Sequence, residues 1–164
     1  MSLDLNDKLV VGVSSRALFD LEEENRIFEK EGLEAYSKYQ IEHEKDILKP
    51  GTAFPLVKAL HKLNADGKYL TEIIVMSKNS ADTSLRIFIS IEQYGLNISR
   101  AALVSGASIS PYLNAFKTDL FLSANEADVQ EAINANIASG IICDHSNLPI
   151  NPDDDINQIR IAFD

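Results

Sequence analysis

Short apolar runs alternate with amphipathic segments along almost the whole chain. Apolar stretches at 9–13, 72–76, 101–104, 119–122 and 140–143 predict strands, and Ile159, Ile161 and Phe163 alternate in a sixth over 158–163. Between them, 83–94 places Leu85, Phe88, Ile91 and Tyr94 at a spacing that predicts one apolar helical stripe packed on the core. The segment 124–138 puts Val129, Ile133 and Ile137 on a common face, and Ser123 with Glu126 has the spacing of a capping box that starts this helix. Strands and helices in alternation predict an α/β fold with three Rossmann-like layers, a mostly parallel sheet flanked by helices.

One segment interrupts the alternation. Residues 22–48, "EEENRIFEKEGLEAYSKYQIEHEKDIL", are charged with scattered aromatics and predict a helical insertion that forms a small cap over the sheet. Pro50-Gly51 ends it before the helix of "AFPLVKALHKLN". Phe28, Tyr36 and Tyr39 within it read as packing residues rather than ligand-stacking ones.

Composition narrows the partners. The chain's 164 residues suit one domain, and 15 Lys plus Arg against 25 Asp plus Glu give a formal charge of -10. That field repels phosphate backbones and anionic lipid, which argues against nucleic acid and membrane partners. Glu22-Glu23-Glu24 and Asp153-Asp154-Asp155 read as solvated runs, since a cation site at the second would need ligands converging from elsewhere. Cys143 is the only cysteine, and its place in Ile141-Ile142-Cys143 predicts a buried, inert thiol in a reducing, cytoplasmic compartment. No stretch approaches the length of apolar sequence that spans a bilayer. His43, His61 and His145 lack zinc-site spacing, and neither a phosphate-cradling G-x-x-x-x-G-K-S/T loop nor a G-x-G-x-x-G turn is present.

The order of parts carries more than any single motif. "VSSRALFD" follows the first strand, "EHEKDILKPG" closes the insertion, and "DLFLSA" ends the fourth strand. On these pieces the chain resembles the haloacid dehalogenase-like phosphohydrolases, and more closely the amino-terminal half of the cytosolic 5'-nucleotidase family. The resemblance implies Mg²⁺-dependent hydrolysis of a nucleoside 5'-monophosphate. In such chemistry one aspartate attacks phosphorus and a second, two residues on, handles the leaving-group proton. A hydroxyl and a lysine hold the phosphoryl group, and late carboxylates complete the metal site.

Aligned through the resemblance, Val13 and Ser15 occupy the places of the two aspartates. Ser77 meets the demand for a hydroxyl. Ile109 stands where the lysine belongs, and Ser123 and Ala124 replace the late acids. Lys117 or Lys78 could replace the lysine, and Asn125 or Asp128 could touch a metal. A solvated side chain is the simpler reading of Lys117, and a helix N-terminal residue the simpler reading of Asn125. The fold signature persists without its reactive groups.

The family resembles a tandem of a degenerate copy and an active one. By that likeness residues 1–156 form a haloacid dehalogenase-like domain, and 157–164 form the opening strand of a second, missing catalytic unit. Asp164 would match that unit's nucleophilic aspartate and Mg²⁺ ligand. The 164 residues alone are then expected to be inactive and to have the carboxy-terminal catalytic half as partner. Their last strand is expected to pair on a sheet edge or with another copy of the chain, giving a homo-oligomer. Ser14, Ser15, Arg16, Ser77 and Lys78 fall at carboxyl ends of strands, where α/β sheets bind ligands, and are the candidate phosphate-binding residues. Ordinary turn chemistry is the competing reading for each. A reading of a different class is a free-standing regulatory module that binds a nucleotide or phosphate without hydrolysing it.

Overall fold

A computed structural model of the chain describes residues 7–81, 83–143, 150–156 and 158–159. Its centre is a five-stranded sheet, β1 (Leu9–Ser14), β2 (Thr71–Ser77), β3 (Arg100–Leu103), β4 (Leu120–Ser123) and β5 (Ala138–Ile141), in the spatial order β3-β2-β1-β4-β5. Every neighbouring pair is parallel. The helices are α1 (Ser15–Leu18), α2 (Glu22–Glu42), α3 (Phe54–Lys62), α4 (Leu85–Gln93), α5 (Ser110–Ala115) and α6 (Glu126–Asn134).

Both faces of the sheet are covered, which explains why its strands read as unbroken apolar runs. Val11, Val13, Ile73 and Val75 pack with Leu18, Val57 and Ile87 from α1, α3 and α4. Val10, Ile74, Met76 and Phe121 point the other way, toward Leu113 of α5 and Ala132 of α6. The three-layer α/β arrangement agrees with the sequence reading. The five strands lie within two residues of their expected bounds at each end.

The helix faces needed correction. Leu85 and Phe88 are exposed, and α4 buries Ile87, Ser90 and Ile91 instead. Each three-residue step falls about 60° short of a full helical turn, so four such residues fan over half the circumference. In α6 Ile133 is exposed while Asp128, Val129 and Ala132 face inward, and Ile137 is buried beyond the helix end. The residue that caps α6 is Asn125, whose side chain accepts from Asp128 N at 3.1 Å, whereas Ser123 Oγ accepts from Asn125 N. Cys143 is exposed rather than buried, because the edge strand β5 ends at Ile141. The strand expected over 158–163 falls mostly outside the described residues. Gln158 and Ile159 are described, carry no strand structure, and Ile159 packs partly buried against the core.

The insertion leaves and re-enters the body at one place. Phe19 pairs with Pro50 in an antiparallel bridge, Asp20 N donates to Lys49 O, and Gly51 N donates to Leu18 O. Leu48 is held at both backbone groups by α4 and its C-cap residue, its N–H by Ser90 Oγ at 2.9 Å and its carbonyl by Tyr94 Oη at 2.8 Å. Below this neck Phe19 packs against Phe54 and Tyr94. A Cβ at Gly51 would lie 2.7 Å from Ala17 O and 2.8 Å from backbone atoms of Phe19. None of these can move without opening the neck, so glycine is required sterically. Gly51→Ala should lower the free energy of unfolding by about 3 kcal/mol, as overpacking does. Urea denaturation checks this, and a loss no larger than that of an exposed surface substitution would contradict it.

Candidate functional site

The chain places β2 and β3 on one side of β1, then crosses to lay β4 and β5 on the other. Loops leaving the carboxyl ends of β1 and β4 therefore run in opposite directions, and a crevice opens between them, as is general for open α/β sheets. Here the crevice is a cavity of about 620 Å³, within the usual size range of small-molecule sites. Its floor is the strand ends and its roof is α2.

The sequence-predicted residues Ser14, Ser15, Arg16, Ser77 and Lys78 all line this cavity. Ser14 Oγ accepts from Ala17 N at 3.2 Å, capping α1, and from Ala124 N at 3.3 Å, which ties the end of β1 to the end of β4. Ser15 Oγ and Ser77 Oγ share a hydrogen bond at 3.1 Å, and Ser77 Oγ also accepts from Asn79 N. Arg16 pairs with Glu22 at 3.1 Å, and Lys78 Nζ lies 2.6 Å from Asp128 Oδ1 and 3.8 Å from Glu131 Oε2 on α6. Lys117 is exposed in left-handed backbone at the end of α5 and does not line the cavity, whereas Asn125 and Asp128 do. Asp164 lies outside the described residues.

The roof was not legible as part of a site. α2 is interrupted at Gly32, whose φ of 86° is open to glycine and strained for other residues. Either side of this kink, Glu24, Asn25, Phe28, Leu33 and Tyr36 face the cavity. Glu24 is buried and forms an ion pair with Arg86 of α4, so the acidic run 22–24 is only partly a solvated face. Tyr36 is buried and its hydroxyl accepts from Gln40 Nε2 at 3.0 Å; burial pushes its phenol pKa upward against the opposing hydrogen bonds of Gln40, Thr83 and Asn79. Phe28 packs edge to face with Tyr36, as expected of a packing residue, and keeps about half its surface open beside the cavity. Tyr39 stacks on His43. The hydroxyl-rich stretch 77–84 after β2 was the available signal for Asn79, Ser80 and Thr83.

Chemically, the strand ends offer hydroxyls, amides and backbone N–H groups. The cavity's two carboxylates, Glu24 and Asp128, are each engaged by a cation. Among the described residues no group of three or more His, Cys, Asp or Glu side chains is placed to hold a metal ion. Magnesium requires hard, mostly anionic oxygen ligands, and this donor set does not fit it. No helix among the described residues is long and apolar enough to cross a membrane.

A capped, three-layer parallel α/β domain with a cavity at its switch point defines the structural class. The family model for 5'-nucleotidase matches residues 1–164, and the chain belongs to that family. It is 39% identical over 163 residues to human "Cytosolic 5'-nucleotidase 1B", an alignment that takes in 95% of this chain and 26% of that protein. The chain thus spans about a quarter of the length of that relative.

Two ion pairs tie roof to body, Arg16–Glu22 and Glu24–Arg86, and only in the second are both side chains largely buried. Glu24→Ala should destabilise the fold by about 3 kcal/mol because it strands a buried guanidinium. Proteolysis within 22–42 should become faster in the variant. Unchanged denaturation and proteolysis would show that the pair holds nothing.

Proposed function

We propose that the chain is the amino-terminal part of a Mg²⁺-dependent cytoplasmic 5'-nucleotidase that hydrolyses nucleoside 5'-monophosphates, and that this part is itself non-catalytic. Membership in the 5'-nucleotidase family supports nucleotide hydrolysis as the activity of the whole protein. The match to about a quarter of a longer relative supports a partner half beyond the present residues. Residues 1–156 form the degenerate unit in this reading, and 157–164 open the catalytic one, with Asp164 as nucleophile and metal ligand.

The observation that carries the non-catalytic assignment is the furnishing of the strand ends. Val13 is fully buried in the core, and Ser15 and Ser77 bond to each other. An attacking carboxylate and its acid–base partner have no counterpart there. A serine nucleophile would need a positioned base, and the Ser15 hydroxyl has another hydroxyl as its partner. Ser14, Ser15, Arg16, Ser77 and Lys78 are in this reading a phosphate cradle that binds without turnover.

Incubated with AMP and Mg²⁺, the 164-residue chain should release no phosphate above background. A chain extended in frame beyond Asp164 should hydrolyse AMP, and Asp164→Asn should abolish that activity. Turnover by the short chain at enzymatic rates, lost in Ser15→Ala or Ser77→Ala, would overturn the assignment.

A further inference from the structure

Two features of the cavity are not used by the reading above. The first is the roof. Phe28 is 49% exposed and lines the cavity beside Leu21 and Leu33, which makes an apolar, aromatic surface above a floor of hydroxyls. Such a surface suits the flat face of a heterocyclic base, and the hydroxyls and amides below suit a sugar and an anion.

The second is the state of Lys78. Its side chain is 40% exposed and stands at the cavity wall, where the ammonium is shared between Asp128 and Glu131, one helical turn apart on α6. Arg16 is engaged at one Nη, by Glu22 on α2, while its buried Nε has no hydrogen-bond partner. A phosphate entering the cavity meets cations that already have carboxylate partners. A phosphate at Lys78 must share the ammonium's three donors and its charge with the two carboxylates of α6.

We propose that the cavity binds a nucleoside monophosphate intact, with its base against Phe28 and its phosphate at Lys78, and that Asp128 and Glu131 compete with the phosphate for that lysine. The inference rests on the non-catalytic reading of this chain and adds the ligand and a means of regulation. Binding at the strand ends draws the charge of Lys78 away from the carboxylates of α6. The acid pair sets the affinity: it holds the lysine in the empty site and weakens binding of the phosphate. Because the competing acids are on the protein, neutralising one strengthens binding, whereas a purely structural ion pair would have the opposite effect when broken.

The test is calorimetric titration of the 164-residue chain, without Mg²⁺ and at low ionic strength, with AMP, adenosine and inorganic phosphate as separate probes. AMP should bind at least about tenfold more tightly than either fragment, since both ends of the cavity must be filled. Asp128→Asn should tighten AMP binding about fivefold, the scale of a partly exposed ion pair, and leave adenosine unchanged. Lys78→Met should weaken AMP binding about tenfold without the same loss for adenosine, and Phe28→Ala should weaken AMP and adenosine alike. Should Asp128→Asn perturb folding by circular dichroism, Glu131→Gln provides the same sign test.

Absence of AMP binding, equal binding of AMP and phosphate, or weaker AMP binding in both acid variants would overturn the proposal. Chromatography of the AMP after incubation with Mg²⁺ separates the two claims. Recovered adenosine would refute the non-catalytic reading whatever the affinities, and intact AMP that fails to bind would refute only the ligand assignment.

Discussion

The reversal of strand order at β1 is the constraint on which the rest depends. Because β2 lies on one side of β1 and β4 on the other, the backbones leaving their carboxyl ends diverge, and polar groups at the divergence lose their sheet partners. The Ser14 hydroxyl resolves this locally by accepting from both Ala17 N and Ala124 N, closing the gap with a neutral group. A carboxylate could do the same and also hold a metal. Serine satisfies the backbone without adding a carboxylate at the end of β1.

The cap follows from the same place. The insertion begins after α1 and returns through the Phe19–Pro50 bridge, so its root stands beside the crevice and α2 is directed over it. The neck is rigid because Gly51 lets two backbone segments touch, and because Ser90 and Tyr94 hold Leu48. The buried Glu24–Arg86 pair then fastens the roof to α4. Neck and roof thus enclose the cavity, which side chains from α2, β2 and α6 line together.

Much of the fold was legible because both sheet faces are buried, and such strands appear as apolar runs whatever their register. The strand-end residues were legible for a related reason, since parallel sheets place ligands at their carboxyl ends. Helix faces were less so: residues at three-position spacing resemble a stripe on paper, yet Leu85 and Phe88 rotate away from Ile87 and Ile91. The roof was hidden because its contacts join distant segments. Nothing local in "EEEN" distinguishes Glu24, which meets an arginine 62 residues away, from the solvated Glu22 and Glu23. The cavity-lining position of Phe28 was hidden because an aromatic beside a cavity and one inside a core have the same sequence signature.

Neutral strand ends are the central claim, and divalent-cation binding tests it most directly. Backbone amide resonances of Ser15, Ser77 and Ser123 can be followed while the 164-residue chain is titrated with paramagnetic Mn²⁺. The account predicts no selective broadening of these three signals at submillimolar Mn²⁺. Selective broadening that excess Mg²⁺ reverses would contradict it.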